Sequence, residues 1–197
     1  MVNIHNLSTP EKIVNVFLEN HDKDFTIREL SKLVKIDYKS VYLSVETLEK
    51  AGILEKRKAG NSTLCKLGKK FNHIIFKVED YRKEQLLKNG NIRVLYNEIR
   101  KIESPFYICL VFGSYAKGKA KKKSDVDIII VSDKKDELES EINSIIQTIP
   151  LSIHLLIFTP KEFLNNFSQG NTVVNEAVEK NVILYGVETY YRLLKYD

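Results

Sequence analysis

Cysteine is scarce in this 197-residue chain, which has two cysteines, one methionine and no tryptophan. Cys65 and Cys109 lie far apart, in neither a CxxC nor a Cys/His pattern. The sequence therefore supports neither a disulfide framework nor a zinc site. We expect both cysteines to be packing residues.

Long apolar runs are also missing. No stretch approaches the roughly 20 consecutive apolar residues that a membrane-spanning helix needs. Residues 1–17 lack the basic start and continuous apolar core of a signal peptide. With 43% hydrophobic and 29% charged residues, the composition is that of an ordinary globular protein. We expect a cytoplasmic protein with no membrane partner.

Positive charge is distributed unevenly along the chain. Residues 1–104 hold 20 Lys and Arg against 14 Asp and Glu, whereas residues 105–197 hold 11 against 12. Residues 50–70 alone carry seven basic residues and one acidic residue. This local density suits a polyanion such as nucleic acid, and it equally suits a lysine-rich face that only keeps the protein in solution.

Residues 8–70 show three helical patterns followed by two short strands. Thr26 with Glu29 three residues later forms a capping box for the second helix, and Asp37 is placed to cap the third. Gly52 ends the third helix, and two short strands then flank a basic turn that contains glycine. The pattern predicts two helices joined by a short turn and followed by a β-hairpin.

This arrangement resembles the winged helix-turn-helix domains of bacterial and archaeal transcription regulators. The resemblance implies that the helix from Tyr38 enters the major groove of DNA, while the hairpin, or wing, approaches phosphates. The residues that it assigns to DNA binding are Lys39, Ser40, Tyr42 and Ser44 on the helix and Lys56, Arg57, Lys58 and Asn61 on the wing. The alternative is a protein-interaction or dimerisation module, and because such regulators are commonly dimers a homodimer is one expectation.

Two nucleotide sites compete for residues 110–131, which read LVFGSYAKGKAKKKSDVDIIIV. Gly113, Gly118 and Lys119 match most of the P-loop pattern G-x-x-x-x-G-K-[ST]. The match fails at Ala120, which replaces the hydroxyl residue that holds magnesium. The aspartates also precede the apolar run rather than end it, so the sequence disfavours a P-loop.

The second possibility depends on Asp125 and Asp127. Aspartates at positions i and i+2 of a strand project from one face, about 6–7 Å apart at the backbone, so their carboxylates can converge on a metal ion. Ten residues separate them from Gly113-Ser114, which follows an apolar strand predicted at 106–112. A second strand, 126–132, carries the aspartates.

The pattern LVFGS, ten residues, DVDI resembles the signature of the DNA polymerase β-like nucleotidyltransferase superfamily, especially its minimal branch, over about residues 91–190. The resemblance implies an α/β, or α+β, palm-like domain that uses Mg²⁺, or alternatively Mn²⁺, with ATP or another NTP. It assigns metal binding to Asp125 and Asp127 and triphosphate binding to Gly113, Ser114, Lys117 and Lys119. The alternative for Lys117 and Lys119 is a solvated loop that has no role in nucleotide binding.

His154 departs from the resemblance. Members of the superfamily usually carry a third carboxylate on the next strand, but no Asp or Glu occurs between Glu141 and Glu162. Strand alternation puts His154 in the expected position of that acid. A neutral imidazole can bind a metal or accept a proton, but it lacks the negative charge that holds magnesium. His154 is therefore either a catalytic substitute or a structural hydrogen-bonding residue.

We predict a winged helix-turn-helix at 1–70, a helical linker at 71–104 and a nucleotidyltransferase-like domain at 105–197. The first hypothesis is a magnesium-dependent enzyme that transfers a nucleoside monophosphate, AMP from ATP, to a hydroxyl of a protein, nucleic acid or small molecule. The second is a DNA-binding regulator whose nucleotidyltransferase domain has lost catalysis. Some members of the minimal branch are antitoxins, so a small helical toxin is a third type of partner.

Overall fold

The chain folds as two units, Met1–Tyr81 with Lys195–Asp197, and Arg82–Leu194. The structure is a computed structural model that describes residues 7–21, 23–102, 107–121 and 124–195. No helix among these residues has both the length and the apolar content to cross a membrane.

The first unit combines helices with a small antiparallel sheet. Its elements are α1 (Thr9–Leu18), β1 (Phe25–Thr26), α2 (Ile27–Val34), α3 (Tyr38–Lys50), β2 (Leu54–Ala59), β3 (Ser62–Leu67) and the first part of α4 (His73–Leu86). The sheet order is β1-β3-β2, with both pairings antiparallel. The three helices and the hairpin are confirmed, whereas β1, with only two residues, was not predicted.

Local capping explains where these helices begin and end. The Thr26 hydroxyl accepts a hydrogen bond from the Glu29 amide, and the Glu29 carboxylate accepts one from the Thr26 amide, which confirms the capping box. Asp37 accepts a hydrogen bond from the Ser40 amide and so caps α3 as predicted. Gly52 follows α3 with a φ of +73°, a conformation that favours glycine.

The second unit is a mixed sheet with helices. Its elements are α5 (Gly90–Ile99), β4 (Tyr107–Phe112), α6 (Gly113–Ala116), β5 (Val126–Ser132), α7 (Lys135–Gln147), β6 (Ile153–Phe158), α8 (Pro160–Ser168), α9 (Thr172–Glu179), β7 (Val182–Tyr185) and α10 (Val187–Leu193). The strand order is β6-β5-β4-β7, in which only β5 and β6 are parallel. The prediction of a mixed α/β domain is confirmed at this level.

The predicted strands agree closely with the observed ones. Strand 126–132 is β5, and strand 106–112 is β4, although residue 106 lies outside the described residues. The helical connection predicted at 71–104 contains α4 and α5, and the division between the units falls inside α4. The apolar side chains of α5 belong to the core of the second unit, together with those of β4, β5 and α7.

One acidic residue, Asp127, interrupts the buried residues of β4 and β5. Every residue of β4 is buried, and so is every residue of β5 except Asp127. A carboxylate flanked by buried Val126 and Ile128 is costly to keep unless it remains partly solvated or finds a partner. Asp127 is therefore a position at which function, rather than packing, explains the residue.

Candidate active site

Gly113 makes the turn at the end of β4. Its φ is +64°, and an added Cβ would lie 2.1 Å from Oδ2 of Asp127. The antiparallel register of β4 and β5 pairs Phe112 with Asp127, which brings the turn directly beside the carboxylate. Glycine is needed here for two separate reasons, the left-handed backbone and the close approach of the aspartate.

Ser114 follows in α6 and is half-buried. Its hydroxyl has no hydrogen-bond partner among the residues that the structure describes. The segment then turns back on itself, because the Lys117 amide donates to the Gly113 carbonyl and the Lys119 amide donates to the Ser114 carbonyl. Between Ala116 and Val126 the described residues contain no helix, so the segment lacks the helix that follows the lysine of a P-loop.

Asp125 and Asp127 lie at the same end of β5. Asp125 directly precedes the strand and is exposed, and the Asp127 side chain is 27% exposed. Val126 between them is fully buried, which is the alternation expected of a strand. Both carboxylates are thus accessible at this end of β5, and that of Asp127 lies beside the Gly113 turn.

His154 lies on the other side of Asp127. The parallel register of β5 and β6 pairs the two residues, and His154 Nδ1 is 3.5 Å from Asp127 Oδ1. The imidazole is 62% exposed, which is more than a structural histidine buried in a core would show. The structure therefore brings His154 together with Asp127, and His154 occupies the position at which the resemblance to the nucleotidyltransferase superfamily predicts an acid.

The two lysines predicted to bind nucleotide differ in their surroundings. Lys117 Nζ is 2.5 Å from Glu176 Oε1, and the two side chains are 34% and 44% exposed. Lys119 is exposed and forms no ion pair within the described residues. Sequence reasoning missed Glu176, since the 59 residues that separate it from Lys117 carry no local signal. The exposed pair holds Lys117 only weakly.

The carboxylates fit a metal ion that arrives with a nucleotide. Across the described ranges, no group of three or more His, Cys, Asp or Glu side chains is arranged to hold a metal ion. Magnesium typically binds through one or two carboxylates together with substrate phosphates and water, rather than in a cage made by protein alone. Asp125 and Asp127 would supply the two carboxylates.

The residues predicted to bind DNA on α3 are mostly exposed, with one correction. Lys39 and Tyr42 are exposed and Ser40 is half-buried. Ser44 was predicted to be exposed, and that prediction is wrong: it is 9% exposed, and its hydroxyl donates to the Ser40 carbonyl. Ser44 lies three residues after Val41 on the inward stripe of the helix, a spacing that the sequence already contained.

The wing requires a second correction. Lys56 was predicted to approach phosphates, but its ammonium contacts Glu46 and lies 2.7 Å from Glu49 Oε2, both on α3. The hydrogen bonds to Glu46 and then to Glu49 raise the pKa of Lys56. Its side chain is only 19% exposed, because strand alternation turns it toward α3. Lys56 is therefore a structural cation.

The remaining wing residues point outward. Arg57 is 58% exposed and donates from Nε and Nη2 to Asp24, at 3.0 and 2.7 Å. Lys58 and Asn61 are exposed, and Lys58 forms no ion pair with any residue that is described. The count of basic residues thus overstated the positive charge that the wing can offer to phosphates, since two of its three consecutive cations already have acidic partners.

The region around the Gly113 turn matches the model of a known protein family. Residues 109–185 match the family model of the nucleotidyltransferase domain, a range that includes the turn, both aspartates and His154. Residues 18–67 match a family model described as HVO_A0114. No curated protein matches the sequence.

Two solved structures are similar at low identity. RV1404 from Mycobacterium tuberculosis is 18% identical, with 51% of this chain and 78% of that chain covered, at a TM-score of 0.33. TrmBL2, described as an archaeal chromatin protein with a novel mode of DNA binding, is 16% identical, with 85% and 68% covered, at a TM-score of 0.26. At these TM-scores neither similarity bears on the function of this chain.

Proposed function

We propose that residues 105–197 bind a nucleoside triphosphate with Mg²⁺ and transfer its nucleoside monophosphate, AMP from ATP, to a hydroxyl group of an acceptor. The observation that carries the proposal is the contact between the Gly113 turn and Asp127. The turn, which is suited to phosphates, and the two accessible carboxylates lie at the same end of the central strands β4 and β5. The family match over 109–185 supports the same assignment.

Each residue of the site would have a separate role in binding the nucleotide. The turn at Gly113 admits the triphosphate close to the backbone, and the Ser114 hydroxyl donates to a phosphate oxygen. Lys119, which has no acidic partner among the described residues, adds positive charge, and Lys117 does so after exchanging Glu176 for a phosphate. Asp125 and Asp127 would hold magnesium, or manganese, and such a metal ion would supply positive charge against the departing pyrophosphate.

The transfer itself forms one bond and breaks another. The acceptor oxygen bonds to the α-phosphorus as the bond between that phosphorus and the pyrophosphate oxygen breaks, and the acceptor hydroxyl loses its proton. We assign that proton to the imidazole of His154, because β6 contains no carboxylate and His154 Nδ1 lies 3.5 Å from Asp127 Oδ1. A neutral imidazole attracts magnesium less than a carboxylate, so we expect slow turnover and weak metal binding.

The direct test uses the full chain with each of the four α-labelled nucleoside triphosphates, with Mg²⁺ or Mn²⁺, and with protein, nucleic-acid and small-molecule acceptors. We expect label to be transferred to an acceptor from one of them, ATP first, with release of unlabelled pyrophosphate. Equilibrium dialysis that detected no binding of any nucleotide in the presence of either metal would contradict the proposal.

For the first unit we propose DNA binding through a winged-helix arrangement. Support comes from the order of its elements, in which α2 and α3 are joined by residues 35–37 and followed by the β2–β3 hairpin. Lys35 takes a left-handed conformation with φ +56°, which makes the turn between the helices short. Lys39 on α3 and Lys58 on the wing are both exposed.

A second candidate function is a DNA-binding regulator whose second unit binds nucleotide without turnover. The observation that favours it is the exposed imidazole of His154 beside Asp127, where a third carboxylate would strengthen the metal site. The two functions differ in one result. The enzyme transfers label to an acceptor, whereas the regulator binds the nucleotide and releases it unchanged.

Lys56 and Lys58 of the wing give a prediction about nucleic-acid binding. Lys58→Met is expected to weaken binding and to reduce the salt slope of log affinity by about one, since one phosphate contact is lost. Lys56→Met is expected to leave the slope unchanged and to lower the midpoint of thermal unfolding, because Glu46 and Glu49 lose their shared cation. Binding titrations at several salt concentrations, with thermal melts, check both. Equal slope changes in the two variants would contradict the division of roles.

A further inference from the structure

Helices α2 and α3 of the first unit expose four large apolar side chains. Large apolar side chains exposed there are Leu33 at 54%, Tyr38 at 53%, Tyr42 at 42% and Leu43 at 57%. The rings of Tyr38 and Tyr42 are stacked, with centroids 6.4 Å apart and planes inclined by 26°. Two parallel aromatic surfaces one helical turn apart are thus presented to solvent at the start of α3.

The helix also lacks most of the side chains that read the edges of paired bases. Arg or Lys makes the bidentate contact to guanine in the major groove and Asn or Gln the one to adenine, and α3 contains no Arg, Asn or Gln and only the lysines Lys39 and Lys50. Glutamate can accept from cytosine, but Glu46 and Glu49 are both engaged by Lys56. Lys39 is the one exposed cation in the first turns of α3.

A polar cavity adjoins the tyrosine pair. It has a volume of about 350 Å³, and Tyr38, Arg28 and the wing-tip residues Asn61, Ser62 and Thr63 line it. Arg28 is exposed and has no acidic partner in the described part of the chain. The cavity therefore offers an aromatic wall, amide and hydroxyl groups, and a guanidinium, which suit the face and the edge of a base that is not paired.

We propose that this surface binds an unpaired stretch of nucleic acid. Bases stack on Tyr38 and Tyr42, an adjacent base enters the cavity, and the backbone passes exposed Lys39 and Lys58. Aromatic stacking with a few flanking cations is the usual basis of single-strand binding, and paired bases cannot offer their faces to a side chain. The inference rests on the proposed nucleic-acid binding of the first unit and specifies the form of nucleic acid that it takes.

The test compares fluorescence anisotropy titrations of the full chain with one labelled sequence presented as single-stranded DNA, single-stranded RNA and duplex DNA. We expect either single strand to bind about tenfold more tightly than the duplex. Tyr38→Ala with Tyr42→Ala should weaken single-strand binding about tenfold or more, because each stacked base loses its platform. Tyr38→Phe with Tyr42→Phe should retain binding. Phe167→Ala, which removes an exposed aromatic ring of the second unit, should also retain it.

Three results would distinguish a failure of this inference from a failure of the proposed DNA binding. Tighter binding of the duplex would overturn this inference and leave the proposed DNA binding intact. No binding of any of the three ligands at low salt would overturn both. Single-strand binding that survives removal of both tyrosine rings would overturn the assigned surface. The tyrosines are exposed, so circular dichroism and thermal melts should show that the alanine variant remains folded.

Discussion

Gly113→Ala is expected to abolish nucleotide transfer and to lower the free energy of unfolding by about 2 kcal/mol or more. A side chain at φ +64° costs roughly 1–2 kcal/mol by itself. The new methyl carbon would also lie 2.1 Å from Asp127 Oδ2, so the carboxylate or the strand has to move. Urea denaturation measures the stability, and nucleotide binding with label transfer measures the site.

Gly118→Ala is the matched control for this substitution. Gly118 has the same φ of +64°, but nothing lies within 4 Å of an added Cβ. The control therefore reports the backbone strain without the contact to Asp127. We expect it to lose stability by about 1–2 kcal/mol and to retain nucleotide binding. If both variants lost stability and binding equally, the contact between the Gly113 turn and Asp127 would have no functional role.

Asp127→Asn is expected to reduce nucleotide transfer by at least about 100-fold, because metal stabilisation of developing charge contributes several kcal/mol. Asparagine keeps the shape of the side chain and removes the negative charge that holds magnesium. The side chain is partly exposed, so the fold should survive. The measurements are kcat/KM across a magnesium titration and the urea unfolding midpoint.

Asp136→Asn supplies the comparison, since Asp136 is an exposed aspartate in the first turn of α7. It should leave transfer and metal dependence unchanged. Should the unaltered protein bind nucleotide without transferring label, Asp127→Asn should weaken that metal-dependent binding, as expected of the regulator. Full transfer activity in Asp127→Asn would rule out the metal site at Asp125 and Asp127.

The ion pairs of the first unit change how its charge should be interpreted. The excess of lysine and arginine at 50–70 suggested a wing built for phosphates. In the structure Lys56 forms ion pairs with two glutamates of α3, and Arg57 forms one with Asp24. Their acidic partners lie outside the segment whose charge was counted. Local charge density therefore predicts a polyanion site only after the partners of each cation are known.

Several elements were predictable because the forces that form them are local. Capping residues act within one helical turn, so Thr26, Glu29 and Asp37 marked helix starts correctly. The apolar runs that became β4 and β5 were equally clear, because strands buried on both faces need continuous apolar sequence. Ser44 was misplaced although its helical spacing from Val41 was readable, because its hydroxyl is satisfied by its own helix. A polar residue on an inward stripe is easily mistaken for a surface residue.

The sequence by itself determined the spacing from Gly113 to Asp125 and Asp127, the absence of an acid before Glu162, and the choice of a glycine at the turn. Strand pairing decided the rest, since it joins residues that are remote in the chain. The register of β4, β5 and β6 sets the Gly113 turn on one side of Asp127 and His154 on the other. Packing of the hairpin against α3 likewise engaged Lys56 and left Tyr38 and Tyr42 exposed. Such distances depend on how the strands and helices associate, and no local pattern encodes them.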